Sequence, residues 1–196
     1  MNAPLPPPDL SDRSPEIVSL PGGAQIHRFY TALYEPIFFD ISRSGRLNAP
    51  DASYGVLYAA KEESGAFAET FLRVPGRTLI DTGLLRRKAY VRLGLLTDLT
   101  FIKLAGPGLA LLGATAEIVH AGLPYDTPQI WSKALWDHPV RADGIAYYAR
   151  HDDEALCYAL FDRAKAAVHE IERQADLDQD WFWQLANRYG LGMATP

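Results

Sequence analysis

Gly45-Arg46-Leu47-Asn48-Ala49-Pro50, then Tyr54-Gly55-Val56-Leu57-Tyr58-Ala59-Ala60, then Ala66-Phe67-Ala68-Glu69-Thr70-Phe71-Leu72-Arg73: the reading of the chain turns on this stretch. Gly, Asn and Pro punctuate the first segment as a loop carrying an arginine. The second is a short apolar strand with Tyr54, Val56 and Tyr58 on one face. Ser64 offers an N-cap for a helix over 65–72, in which Phe67 and Phe71, four apart, face the core. Glu69 falls roughly opposite that pair, one turn from Arg73. Spacing alone makes it half of an exposed Glu–Arg pair worth about 0.3 kcal/mol. A cation, an aromatic ring and an acid are thus brought together by local structure alone.

Upstream, Ala24-Gln25-Ile26-His27-Arg28-Phe29-Tyr30 reads as a strand with Ile26, Arg28 and Tyr30 on one face. A mid-strand arginine must meet water or an anion, and spacing leaves both open. Residues 31–41 form an apolar loop expected to pack on the core. Four prolines in the first eight residues predict an extended tail with no core.

Downstream, strands are expected over 77–81 and 99–104. Gly106-Pro107-Gly108 lacks the Gly-Lys-Ser/Thr ending of a phosphate loop and reads as a turn before an apolar helix. Thr127-Pro128 opens another helix, ended at His138-Pro139. Residues 143–150 are a turn and strand. Leu156, Leu160, Ala164, Ala167 and Ile171 recur every three or four positions, so 154–174 is expected to be a helix. Asp180 caps a last helix bearing Trp181, Phe182 and Trp183. Three adjacent aromatics cannot all face one core, so a tail helix folded onto the domain, a partner contact and self-association are all readings of this cluster.

The totals set bounds. At 196 residues one domain is expected, and a chain this long buries about 70% of its unfolded surface. With 48% apolar and 22% charged residues it is of ordinary globular composition. A net charge of −5 argues against nucleic acid as a direct partner while allowing a local basic pocket. Cys157, alone of its kind, can form no internal disulfide and reads as a small core residue. No apolar run reaches the length that crosses a bilayer, and the N-terminus has no basic-then-apolar signal pattern. A cytoplasmic protein without membrane contact is expected. His27, His120, His138, His151 and His169 have no partner at metal spacing, so no metal site is expected. Asp176, Asp178 and Asp180 begin like a calcium loop, but Trp181 and Asn187 stand where glycine and glutamate are required.

Taken in order, His27-Arg28, Gly45-Arg46-Leu47-Asn48, Leu57-Tyr58-Ala59-Ala60, Ala66-Phe67-Ala68-Glu69, Asp98-Leu99, Tyr125-Asp126-Thr127, Asp143-Gly144-Ile145-Ala146-Tyr147 and Leu160-Phe161-Asp162 resemble the RES-domain family, named for its Arg, Glu and Ser. The resemblance runs from about Ile26 to Phe161. It implies an α+β fold like the ADP-ribosyltransferases, a split, bent β core surrounded by helices. It divides the chain into a disordered Pro-rich tail (1–20), a RES domain (21–175) and a C-terminal helical extension (176–196). It also implies the toxin of a RES–Xre toxin–antitoxin pair, with an Xre-like antitoxin as partner and a homo-oligomer as a further possibility.

The activity implied is cleavage of the nicotinamide–ribose bond of NAD, as glycohydrolase or phosphorylase. The alternatives are ADP-ribosyl transfer to a protein and a weak or inactive NAD-binding module. NAD would be substrate rather than cofactor, with phosphate a possible co-substrate. On the same resemblance Glu69 and Tyr58 are catalytic, and Arg28, Arg46, Asn48, Tyr147 and Ala149 bind substrate. Ala149 stands where the family's serine belongs, which removes a hydroxyl worth about 1 kcal/mol as a hydrogen bond.

Overall fold

The computed structural model describes residues 3–194. The expected segments 1–20 and 176–196 therefore extend, at 1–2 and 195–196, outside the described residues. The first strands are β1 (Ile17–Leu20), β2 (Gln25–Thr31) and β3 (Val56–Ala60), followed by α1 (Glu63–Phe71), β4 (Leu79–Ile80) and α2 (Thr82–Arg86). Next come β5 (Lys88–Leu95), β6 (Leu99–Lys103), α3 (Pro107–Leu112), α4 (Glu117–His120) and α5 (Asp126–Trp136). The chain finishes with β7 (Gly144–Ala149), β8 (Asp152–Phe161), β9 (Val168–Gln174), α6 (Asp180–Arg188) and β10 (Gly192–Met193).

Eight strands form one sheet in the order β1-β6-β7-β8-β3-β2-β5-β9, antiparallel except at β6–β7. Two strands of this sheet, β2 and β3, are paired only at His27 and Ala60. Beyond that pair they part, so the sheet opens into two halves. Residues of both halves meet again in one apolar cluster, where Ile26, Leu93 and Leu95 join Leu57, Tyr158 and Leu160. The sheet is therefore bent over this cluster. Its other face carries a second cluster, where Val56, Cys157 and Phe161 meet Phe67 and Phe71 of α1, Trp131 of α5 and Phe182 of α6. The fold is α+β with a split, bent β core and surrounding helices.

Two apolar faces explain the largest departure from expectation. The segment 154–174 is not a helix. It is β8, a 3-10 turn over Asp162–Ala167, and β9. Ala155, Cys157, Ala159 and Phe161 enter one cluster while Tyr158 and Leu160 enter the other. A strand buried on both faces shows no alternation, and its apolar run fits a period of three or four equally well.

The N-terminal tail is also corrected. Leu10 is buried, Trp131 Nε1 donates to the Pro4 carbonyl at 2.6 Å, and His138 Nε2 meets the Leu10 and Arg13 carbonyls at 3.2 Å each. β1 then pairs with β6. Proline removes a donor but not an acceptor, and here these carbonyls serve buried donors. The 31–41 loop packs in part, with Pro36 buried and Ile37 and Phe39 against the core, while Leu33, Tyr34, Phe38 and Ile41 are exposed and Tyr34 and Phe38 stack at 5.7 Å.

Smaller corrections concern ends and edges. α1 starts at Glu63, and its first turn has no side-chain cap from Ser64. α5 starts at Asp126, ahead of the expected cap Thr127. The strand expected over 77–81 is only Leu79–Ile80, pairing with β10. The last helix folds onto the body: Phe182 is fully buried and Trp181 stacks on Phe29 at 6.1 Å.

Candidate active site

Where β2 and β3 part, a cleft of about 530 Å³ opens between the two halves of the sheet and α1. Main-chain groups freed by the split need partners. Arg28 supplies one, donating from Nη1 to the Tyr58 carbonyl at 3.5 Å, while its buried Nε has no protein partner. Burial lowers the Arg28 pKa to about 10, against the raising influence of Asp40, Tyr30 and Tyr58, so it stays a cation at neutral pH. The arginine is neither a solvated edge residue nor half of an ion pair. It is a charge held on the wall of the cleft.

The loop at 45–48 is built against Tyr58. The Tyr58 hydroxyl accepts the Leu47 N–H at 2.8 Å and donates to Asn48 Oδ1 at 2.9 Å. The Asn48 amide, fully buried, donates to Asp40 Oδ2 at 2.9 Å and the Ser42 carbonyl at 2.7 Å. Gly45 is required because a Cβ there would stand 2.1 Å from Asn48 Oδ1 and 2.8 Å from the Tyr58 hydroxyl. Burial raises the Tyr58 pKa well above 10, so its hydroxyl stays protonated. Asn48 does not line the cleft, and the Tyr58 hydroxyl is fully engaged. Both act through the loop, while the Tyr58 ring remains on the cleft wall. Arg46 donates from Nε to the Ala121 carbonyl at 3.2 Å and lies 5.8 Å from the centre of the Tyr125 ring. Arg46 and Tyr125 both line the cleft.

Glu69 is where spacing alone misleads. Its carboxylate is not paired with Arg73, whose Nε donates to the Glu69 main-chain carbonyl at 2.8 Å. Instead Oε1 accepts the Arg150 N–H at 3.1 Å and Oε2 lies 3.4 Å from the Tyr147 hydroxyl. Helix α1 thus presents its acid to the end of β7, across the cleft. Tyr147 is fully buried; burial, then the neighbouring Glu69, raises its pKa well above 10, so it remains a donor to the acid. His151 beside it is lowered from 6.5 by burial and by Arg150, and is neutral at pH 7.

Ala149 is fully buried in the core cluster next to the helices and is not among the residues lining the cleft. The missing hydroxyl at that position is therefore not a gap in the cleft wall. Arg28, Arg46, Tyr58, Glu69 and Tyr147 are brought together. Sequence reasoning missed Arg73, Arg77, Lys88 and Arg150, which also line the cleft. The signal for Arg150 was its place directly after the 143–149 strand. Lys88 stands in the run Arg86-Arg87-Lys88, which by sequence reads as a solvated turn or helix face, whereas in the structure it opens β5. Among the described residues no group of three or more His, Cys, Asp or Glu side chains is placed to hold a metal ion. No helix there is long and apolar enough to cross a membrane.

The family model described as RES domain matches residues 24–184, most of the chain, and runs past residue 175 into α6. No curated protein and no solved structure matches the chain.

Proposed function

We propose, from the premise that this chain belongs to the RES-domain family, that it cleaves the nicotinamide–ribose bond of NAD. The observation that carries the reading is Glu69, fixed by the Arg150 N–H and facing Tyr147, inside a cleft where six cations outnumber the two carboxylates Glu69 and Asp40. As the C1′–N bond of the dinucleotide breaks, its electron pair goes to nicotinamide and neutralises the ring. Positive charge grows on the ribose, an oxocarbenium-like transition state as in glycoside cleavage. A fixed carboxylate stabilises that charge and orients the incoming oxygen of water or phosphate, whose proton is lost as the C1′–O bond forms. Arg28 and Arg46 hold the pyrophosphate with charge-assisted hydrogen bonds, and the Tyr58 ring offers a face for the nicotinamide. Tyr147 keeps the acid oriented.

Transfer of ADP-ribose to a protein differs only in the acceptor. The exposed Leu33, Tyr34 and Phe38 support a protein partner beside the cleft, since Thr31 and Asp40 on either side of them line it. The partner that family membership favours is an Xre-like antitoxin covering the site.

Purified protein incubated with NAD, with and without phosphate, tests the reading. Wild type should release nicotinamide, and Glu69→Gln should release it at least a hundredfold more slowly. A folded wild type that releases none sinks the enzymatic reading, and equal rates remove Glu69 from the mechanism. Labelled NAD would reveal transfer as a modified protein band.

A further inference from the structure

The cleft holds more positive charge than a dinucleotide pyrophosphate requires. Six cations line it, Arg28, Arg46, Arg73, Arg77, Lys88 and Arg150, against the two carboxylates Asp40 and Glu69, a surplus of four. A pyrophosphate of two diester-like groups brings only about two negative charges. None of the six forms a salt bridge among the described residues, although Arg92, Lys103 and Arg173 elsewhere do.

Part of the surplus gathers around Lys88. Lys88 opens β5 opposite Thr31, the last residue of β2, and donates from Nζ to Thr31 Oγ1 at 3.1 Å. Arg73, just past the end of α1, lines the cleft with its Nε bound to the Glu69 carbonyl and no carboxylate partner among the described residues. The Lys88 ammonium has its pKa lowered first by burial, then by Arg73, Arg28 and Arg87. Cations are thus crowded around Lys88, an arrangement that a bound anion relieves.

We propose that Lys88 and Arg73 form a second anion subsite that takes a phosphate dianion, next to the Arg28 that holds the pyrophosphate. A monoester carries about −1.5 to −2 at neutral pH, which matches the remaining surplus. The subsite rests on the reading of the cleft as a dinucleotide site. The dianion has two sources: a 2′-phosphate carried on the adenosine ribose, as in NADP, or free phosphate serving as acceptor. In the second case a phosphate oxygen forms the new bond to C1′ as nicotinamide leaves with the electron pair.

The test uses calorimetry with two unreactive probes, inorganic phosphate and 2′-phospho-ADP-ribose, the latter compared with ADP-ribose. The proteins are wild type, Lys88→Gln and Arg73→Gln. Arg73 is exposed, so its variant keeps the comparison open should Lys88→Gln fail to fold. Wild type should bind at least one phosphate probe about tenfold more tightly than either variant. A preference for 2′-phospho-ADP-ribose over ADP-ribose that collapses toward one in the variants assigns the subsite to the dinucleotide. Tenfold loss of inorganic phosphate binding, with ADP-ribose-1-phosphate formed from NAD, assigns it to the acceptor. Equal affinities of all folded proteins for both probes overturn the subsite. Wild type that releases no nicotinamide, with phosphate binding still lost in the variants, leaves the subsite standing and removes the NAD-cleaving reading.

Discussion

At the scale of single residues the loop that carries Arg46 depends on one hydroxyl. Tyr58 joins the loop at 45–48 to β3 through Leu47 and Asn48. Tyr58→Phe should leave a buried N–H and a buried amide oxygen each short of a partner, a cost of about 1–3 kcal/mol. Urea unfolding should show it, and the Michaelis constant for NAD should rise more than the turnover number falls, because the Arg46 loop is loosened while Glu69 is untouched. Gly45→Ala should act in the same direction, since its methyl would overlap Asn48. Unchanged stability and unchanged NAD affinity in both variants would mean that the loop is not held through this hydroxyl. Glu69 shows the complementary lesson. A residue on the polar side of its own helix can still face a site, if a strand from far along the chain ends opposite it. Nothing in the local spacing of 65–73 reports that β7 does so.

At the scale of elements, α1 must sit correctly on β2 for its acid to meet β7. Its N-terminal turn is pinned by Glu63, which accepts the Tyr90 hydroxyl at 3.1 Å, while that hydroxyl takes the Nδ1–H of His27 at 2.7 Å. Burial lowers the His27 pKa from 6.5, against the raising influence of Glu63 and Glu62. Because the folded value lies below the unfolded one, the unfolded chain takes up the proton first. Stability should therefore decline as pH falls below 6.5. His151 is lowered too, so the slope of melting temperature against pH between 5 and 7 should shrink in His27→Gln without vanishing. A slope of the same size in that variant would exclude His27 as a contributor. Elements also show what a single sequence can and cannot convey. β3, β6 and β7 were legible because turn residues bound short apolar runs at both ends. β8 and β9 were not, since apolar residues on both faces of β8 erase the period of two. β5 was missed for a similar reason: Ala89, Tyr90, Val91, Leu93, Gly94 and Leu95 are all buried, on both faces of the strand. The split between β2 and β3 leaves no mark in spacing or periodicity, because it is the absence of pairing between two good strands; only the family resemblance implied it.

For the whole molecule, charge is distributed unevenly. The chain carries −5 overall, yet the cleft beside α1 is lined by six cations and two carboxylates. Attraction of an anionic substrate is therefore local and opposed at long range. NAD affinity should weaken as salt rises from 0.05 to 0.5 M, and most of that loss should fall in the dissociation rate rather than the association rate. Stopped-flow measurement at several salt concentrations separates the two; an association rate that carries the whole salt dependence would contradict it. The N-terminal segment, read from composition as a floppy end, is part of this whole, since tertiary donors at Trp131 and His138 recruit its carbonyls. Composition describes what a segment can do alone and is silent about what the rest of the fold offers it. One contact described above also makes the molecule self-reporting. The indole of Trp181 lies stacked on Phe29 and tilted against Tyr90 at 5.1 Å, and Phe29 itself lines the cleft. A ligand that displaces that phenyl ring changes the surroundings of a native fluorophore, so occupancy of the cleft can be followed as a shift in ultraviolet emission without attaching a dye.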